Sequence, residues 1–85
     1  MIISTTSINV PHEVIDVVMH HVAEKAGMFS GGLDLDAVFD KAKAGLAEKA
    51  RSKGGNGVIG LDFEVRVLPD GRTIEIFAFG TVVKV

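Results

Sequence analysis

Residues 57–85 read GVIGLDFEVRVLPDGRTIEIFAFGTVVKV, and the way this stretch pairs with itself decides the fold. Ile59, Leu61, Phe63, Val65 and Val67 alternate with Gly60, Asp62, Glu64 and Arg66, the period of a strand with one buried face. Pro69-Asp70-Gly71-Arg72 follows, and Asp-Gly is a favoured two-residue hairpin loop. A second β-rich run extends from Thr73 to Val85. With Asp70-Gly71 as the loop, facing residue numbers sum to 141, so Val67 faces Ile74, Val65 faces Ile76 and Phe63 faces Ala78. In the same register Leu61 faces Gly80 and Ile59 faces Val82, which makes one face apolar or small throughout. On the other face Arg66 meets Glu75, an opposite-charge pair that favours this register independently.

That other face is unusual. It sets Glu64 against Phe77, Asp62 against Phe79, Gly60 against Thr81 and Val58 against Val83. A sheet face open to water is normally mostly polar. Phe77, Phe79 and Val83 are therefore expected at a covered surface, either beneath the N-terminal segment or between subunits.

Working outward, the hairpin needs a cover for its apolar face, and residues from Asp34 supply it. Leu35, Val38, Phe39, Ala42, Leu46 and Ala50 recur at three- and four-residue steps, on one side of a helix. Asp34 is placed to cap the first free N–H groups, and Asp36 complements the positive end of the helix dipole. Lys49, Arg51 and Lys53 suit the other end, where Gly54-Gly55 provides a left-handed stop. Gly45 lies inside this helix at a cost of about 1 kcal/mol relative to alanine, and allows close packing. Nearer the start, Met1–Thr6 reads as a short strand and Ile8–Pro11 as a connection. His12–Lys25 is open to two readings: Ile15, Val18, Met19 and Val22 have helical spacing, whereas the density of β-branched residues favours a strand. Gly27 and Gly31-Gly32 mark a flexible loop before the helix.

Composition bounds what such a chain can do. Its 85 residues make one domain, 1–85, with 47% hydrophobic residues, only five Phe, and no Trp or Tyr. A domain this small buries a modest core, so apolar surface shared between subunits is one way to place that excess. Lys+Arg number 9 against 11 Asp+Glu, a balance that does not suit a nucleic-acid binder. Cysteine is absent, which excludes disulfides, thiolate metal sites and cysteine nucleophiles. The start MIISTTSINV lacks the basic and apolar pattern of a signal peptide, no run reaches membrane-span length, and a cytoplasmic location without membrane contact is expected.

The order of these features is distinctive: a β-rich start, Gly31-Gly32, an alanine-rich charged helix, GGNGVIGLDFEV over residues 54–65, a hairpin, and a closing GTVVKV over residues 80–85. It resembles the YbjQ-like family of uncharacterised bacterial proteins, often labelled heavy-metal-binding. The resemblance covers nearly the whole chain, with residues 10–30 fitting loosely. It implies a dodecin-like α+β subunit with two N-terminal strands, one main helix and a C-terminal hairpin, associating with itself into a ring, a pentamer. It also implies a strand over Val14–Ala23. No catalytic residue comes with it. The chain departs from the family at Leu33, where a basic residue commonly follows the two glycines, so the resemblance gives no anion site to this loop.

Candidate site residues are few. His12, His20 and His21 are the imidazole ligands that the chain offers a metal. His20 and His21 are adjacent, so on a strand they point to opposite faces and do not chelate one ion together. His12 and His20 share a parity but are separated by about 27 Å on a straight strand. A divalent metal would thus need His20 or His21 from several subunits, with Asp62 or Glu64 adding oxygen ligands. Asp62 and Glu64 share one strand face, as paired carboxylates of an acid-base enzyme would, although alternating acids also mark a plain solvated face. Ser30-Gly31-Gly32 lacks a P-loop lysine, and Asp34 and Asp36 would repel an anion there. No nucleophile-base pair is visible. The expected role is a homo-oligomeric domain that binds a small ligand between subunits without a resident cofactor, the alternatives being a metal-binding protein and, last, an enzyme.

Overall fold

A computed structural model describes residues 1–25 and 34–85. The elements run β1 (Ile2–Ile3), β2 (Glu13–Lys25), α1 (Leu35–Ser52), β3 (Gly57–Val67) and β4 (Thr73–Lys84). The four strands form one mixed sheet in the order β1-β3-β4-β2, with β1 parallel to β3 and the other pairs antiparallel. This is the expected α+β architecture. The ambiguous stretch His12–Lys25 resolves as a strand over Glu13–Lys25, because its β-branched residues fit a pleated surface that β4 and α1 are there to cover. The loop with Gly27 and Gly31-Gly32, and the departure at Leu33, lie outside the described residues.

Helix α1 begins and ends where its chemistry dictates. The Asp34 carboxylate accepts from the Ala37 N–H at 3.3 Å, and the Asp34 carbonyl accepts from the Val38 N–H at 3.2 Å. At the far end Gly54 takes φ +88°, and the Gly54 and Gly55 N–H groups donate to the Arg51 and Ala50 carbonyls at 3.0 Å. The helix lies mainly over β2 and β4 and only grazes β3. Ala42, Leu46 and Ala50 pack with Val18, Val58, Ile76, Ala78 and Val82 in the core, while Phe39 meets Phe63 edge-on at 4.9 Å. Leu35, expected on the buried side, is exposed in the first turn. Val65 and Val67 point to the α1 side but are also exposed, since the helix leans away from β3.

The hairpin obeys the expected register at its tip and departs from it at its base. Val67↔Ile74, Arg66↔Glu75, Val65↔Ile76, Glu64↔Phe77, Phe63↔Ala78 and Asp62↔Phe79 pair as expected. A bulge between Ile59 and Asp62 then slips the register by one, giving Ile59↔Thr81, Val58↔Val82 and Gly57↔Val83. Gly60, at φ +61°, makes the extra residue cheap. A one-residue slip exchanges faces, so Val58 enters the core with no exposed surface and Ile59 leaves it. The turn differs too. Pro69 has no N–H to pair with Arg72, so the loop widens to Pro69–Arg72, closed by the Leu68 N–H on the Thr73 carbonyl at 2.9 Å. Widening by one residue on each side keeps the register sum unchanged. Asp70 holds the loop: its carboxylate accepts from the Arg72 N–H, the Thr73 N–H and the Thr73 hydroxyl at 2.7–2.9 Å, and these bonds lower its pKa to about 2.

The N-terminal strand is shorter than its sequence suggests, but its pairing continues beyond β1. The Ser4 N–H donates to Val58, the Leu61 N–H to Ser4 and the Gly60 N–H to Thr6 at 2.9–3.3 Å. These bonds fasten residues 2–6 to the base of β3.

Candidate functional site

The sheet face turned away from α1 gathers the residues that attract functional interest. Strand β2 presents Val17, Met19 and His21 there, and β4 presents Phe77, Phe79 and Thr81, in the facing pairs Val17↔Thr81, Met19↔Phe79 and His21↔Phe77. Val17 is 72% exposed and Met19 60%, high values for apolar side chains on the middle of a long strand. Phe77 and Phe79 are half-buried. A groove of about 860 Å³ runs along β2, where Val17, Met19, Phe79 and Thr81 meet Lys49 of α1 and Lys53 just past its end. Val83 does not belong to this surface. It has no exposed area in the single chain, so it has none to give to an interface. Its facing residue is Gly57 rather than Val58 because of the bulge, and glycine leaves room for the Val83 Cγ2 against β1.

A polar ladder crosses the same face nearer the hairpin tip. The Arg66 Nη2 donates to both Glu75 oxygens at 3.2 Å, and the His21 Nε2 lies 3.4 Å from Glu75 Oε2. The His21 ring stacks on Phe77 at 4.6 Å between centroids. Glu75 is mostly covered by these neighbours, whereas Arg66 and His21 reach solvent. The arrangement ties β2, β4 and β3 together side to side.

His20 lies on the opposite face, beneath the helix, and its environment explains Gly45. A Cβ on Gly45 would come within 2.1–2.6 Å of three His20 ring atoms, so the imidazole occupies the space that a side chain there would need. The His20 Nδ1 is buried without a hydrogen-bond partner. The signal was in the sequence: a glycine in mid-helix, next to the core position Leu46, calls for a bulky group across from it. Which strand residue fills the notch becomes legible only once the register of β2 is known.

The metal-ligand candidates do not converge within one chain. His20 and His21 point to opposite faces, as strand parity requires. His12 is turned to the Val10 carbonyl, 2.8 Å from its Nδ1. Asp62 accepts from the Phe63 N–H at 2.8 Å and is exposed, as is Glu64. Among the described residues no group of three or more His, Asp or Glu side chains is placed to hold an ion. The closest pair, His21 and Glu75, shares its carboxylate with the Arg66 guanidinium, which repels a cation. The described His, Asp and Glu side chains of a single chain therefore do not fit a heavy-metal ion. Among the described residues, no helix is long and apolar enough to cross a membrane.

One helix over a four-stranded sheet, closed by a bulged C-terminal hairpin and carrying an exposed apolar face, defines a small two-layer α+β class. Residues 4–85 match the model of the YbjQ-like family, described as "Putative heavy-metal-binding". The chain belongs to that family. It is also similar to the crystal structure of a protein of unknown function of the DUF74 family from Pediococcus pentosaceus ATCC 25745, at 28% identity and a TM-score of 0.86. That similarity covers 100% of this chain and 97% of the other. No curated protein matches.

Proposed function

We propose that the chain works as a self-associating, non-enzymatic cytoplasmic domain whose copies bury the outer sheet face against one another and take a small ligand between them. The observation that carries this reading is the apolar strip Val17, Met19, Phe77 and Phe79, open to solvent in whole or in part along the middle of a sheet whose other face is packed by α1 over β2 and β4. Strips of this kind on small domains mark interaction surfaces. The groove along β2 has the size of a small-molecule site and opens onto that strip. Phe79→Glu places a charge in the centre of the strip, and a fall in mass by light scattering is expected; an unchanged mass contradicts the reading. Native mass spectrometry of untagged protein reads subunit number and any retained ligand together, and a bare oligomer argues against the ligand.

A second reading, heavy-metal binding, draws support from the family description and from the position of His21 on the outer face. Burying that face between copies would bring several His21 side chains to one interface, whereas His20 stays under its own helix. Metal titration followed by elemental analysis tests it, and the absence of stoichiometric retained metal rejects it.

A further inference from the structure

The groove along β2 combines two chemistries. Its floor is apolar, built from Val17, Met19 and Phe79. Its rim is cationic, because Lys49 and Lys53 stand one helical turn apart where α1 ends, within reach of a single anion. The two lysines are partnered differently. The Lys53 ammonium donates to Asp16 Oδ2 at 2.9 Å, while Asp16 Oδ1 accepts from the Val17 N–H at 2.8 Å. These bonds hold the Asp16 carboxyl below the usual carboxylate range, so it is ionised at neutral pH. The Lys49 ammonium donates to the Met19 carbonyl at 2.9 Å, a neutral partner. Lys41 and Lys43 of the same helix pair with Glu24 and Asp40, but among the described residues no carboxylate pairs with Lys49. An ammonium carries three donors, so a single carbonyl leaves Lys49 with its full charge and two donors for a ligand. Two positive charges against one negative give this rim a surplus of one.

We propose that the groove is a site for an aromatic monocarboxylate, its ring on Val17, Met19 and Phe79 and its carboxylate on Lys49, with Lys53 as a second donor braced by Asp16. The inference rests on the small-ligand reading above and names the chemical class of that ligand. An aromatic body is favoured because Phe79 supplies a ring and Met19 a thioether, both of which pack well against aromatic partners. The single surplus charge suits one carboxylate, and Asp16 opposes a dianion such as a phosphate monoester. Burial of the outer face against a neighbouring copy would shield the groove from water and strengthen the charge-assisted bonds at its rim. The named contacts all come from one chain, so every copy in a ring carries its own site. One ligand per chain is therefore expected.

The test titrates the untagged wild-type chain with phenylacetate, neutral phenylacetamide and phenyl phosphate by calorimetry, beside light scattering of the same samples. Phenylacetate should bind one per chain, and the amide and the phosphate should each bind about tenfold more weakly. Lys49→Met should weaken phenylacetate by about tenfold and leave the amide unmoved, with circular dichroism confirming the fold. Asp16→Asn removes the opposing charge and should narrow the gap between phosphate and carboxylate; an unchanged gap overturns the part given to Asp16. The Met19 methyl resonance should shift on adding phenylacetate, which locates the site. Absent binding, equal affinity for acid and amide, or an unmoved Met19 methyl overturns the proposal, as does a Lys49→Met chain that binds the acid like the wild type. If Lys49→Met does not fold, the comparison of acid with amide on the wild type decides alone. An assembled chain that fails these tests overturns the site and leaves self-association standing. A monomeric chain that passes them refutes self-association and leaves the site intact.

Discussion

The side of the sheet under α1 and the side facing away from it are built on the same three long strands, yet they treat apolar residues differently. Beneath the helix, Ile76, Ala78 and Val82 have no exposed surface, and Ala42, Leu46 and Ala50 of α1 are equally enclosed. On the far side Val17 and Met19 stand mostly in water, although they come from the same strand as the buried Val18. Residue type does not separate the faces; the presence of a covering element does. In an 85-residue chain one helix closes most of one face, stopping short of Val65 and Val67, and the other is left with apolar area and a polar ladder of Arg66, Glu75 and His21.

That contrast predicts how substitutions should sort. The largest effect is expected from Leu46→Ala, which opens a cavity in the enclosed layer and should cost about 2–5 kcal/mol in urea unfolding. Met19→Ala, of similar apolar character on the open face, should change the stability of the single chain, read at concentrations below assembly, by less than about 0.5 kcal/mol; comparable losses at the two positions there would erase the distinction between the faces. Next comes Gly45→Ala. Helix propensity alone favours alanine, but the clash with the His20 ring should reverse the sign and destabilise by about 1–3 kcal/mol. Pairing it with His20→Ala should recover most of that loss in a double-mutant cycle, and strict additivity would show that the notch is not what matters. A smaller effect, confined to acid, belongs to Asp70 at the hairpin tip. Its folded pKa of about 2 lies below the ordinary 3.8, so its contribution is complete above about pH 4 and is lost as the pH falls towards 2. Asp70→Asn should therefore lower the melting temperature at neutral pH and converge with the wild type near pH 2. Among the expected losses the last is small: Arg66→Ala removes one exposed partner of Glu75 and should cost about 0.2–1 kcal/mol, less at high salt.

Much of the fold was legible because independent signals agreed. The tip register followed both from apolar pairing and from Arg66 opposite Glu75, and the limits of α1 followed from Asp34 and Gly54. The base of the hairpin was not legible, because Gly60 fits a regular strand and a bulge equally well in sequence. The bulge alone decides whether Val58 or Ile59 enters the core. The open face was foreseen through Phe77 and Phe79, whereas Val17 and Met19 were hidden by the ambiguity between helix and strand in residues 12–25. His20 and His21 were correctly separated by parity, but the Glu75 that meets His21 is remote in sequence and joins it only through the β2·β4 register. Asp16, Lys49 and Lys53 likewise carry no local motif. Their association arises because α1 runs back along the strand that precedes it.

The bulge at Gly60 also constrains how this segment can change over generations. A strand with one residue more than its partner has, in effect, absorbed an insertion, and deleting a residue there would restore an even ladder. The pairs themselves would not move: Leu61 would face Gly80, Ile59 would still face Thr81, and Val58 would still face Val82 in the core. The amide of Asn56, which joins both backbone groups of Val85 at 2.8 and 3.2 Å, would stay in step with the chain end. The loss would fall on the N-terminal segment, since the Gly60 N–H that donates to the Thr6 carbonyl would go with the residue. Flattening the bulge with Gly60 kept is the change that exchanges Val58 and Ile59 between faces. Length variation of one residue is therefore expected at Gly60 as well as in the Pro69–Arg72 loop, whereas Gly60→Val, which disfavours the left-handed backbone there, is the change to be purged. The spare residue is slack in the chain, and the glycine keeps that slack from being pulled through.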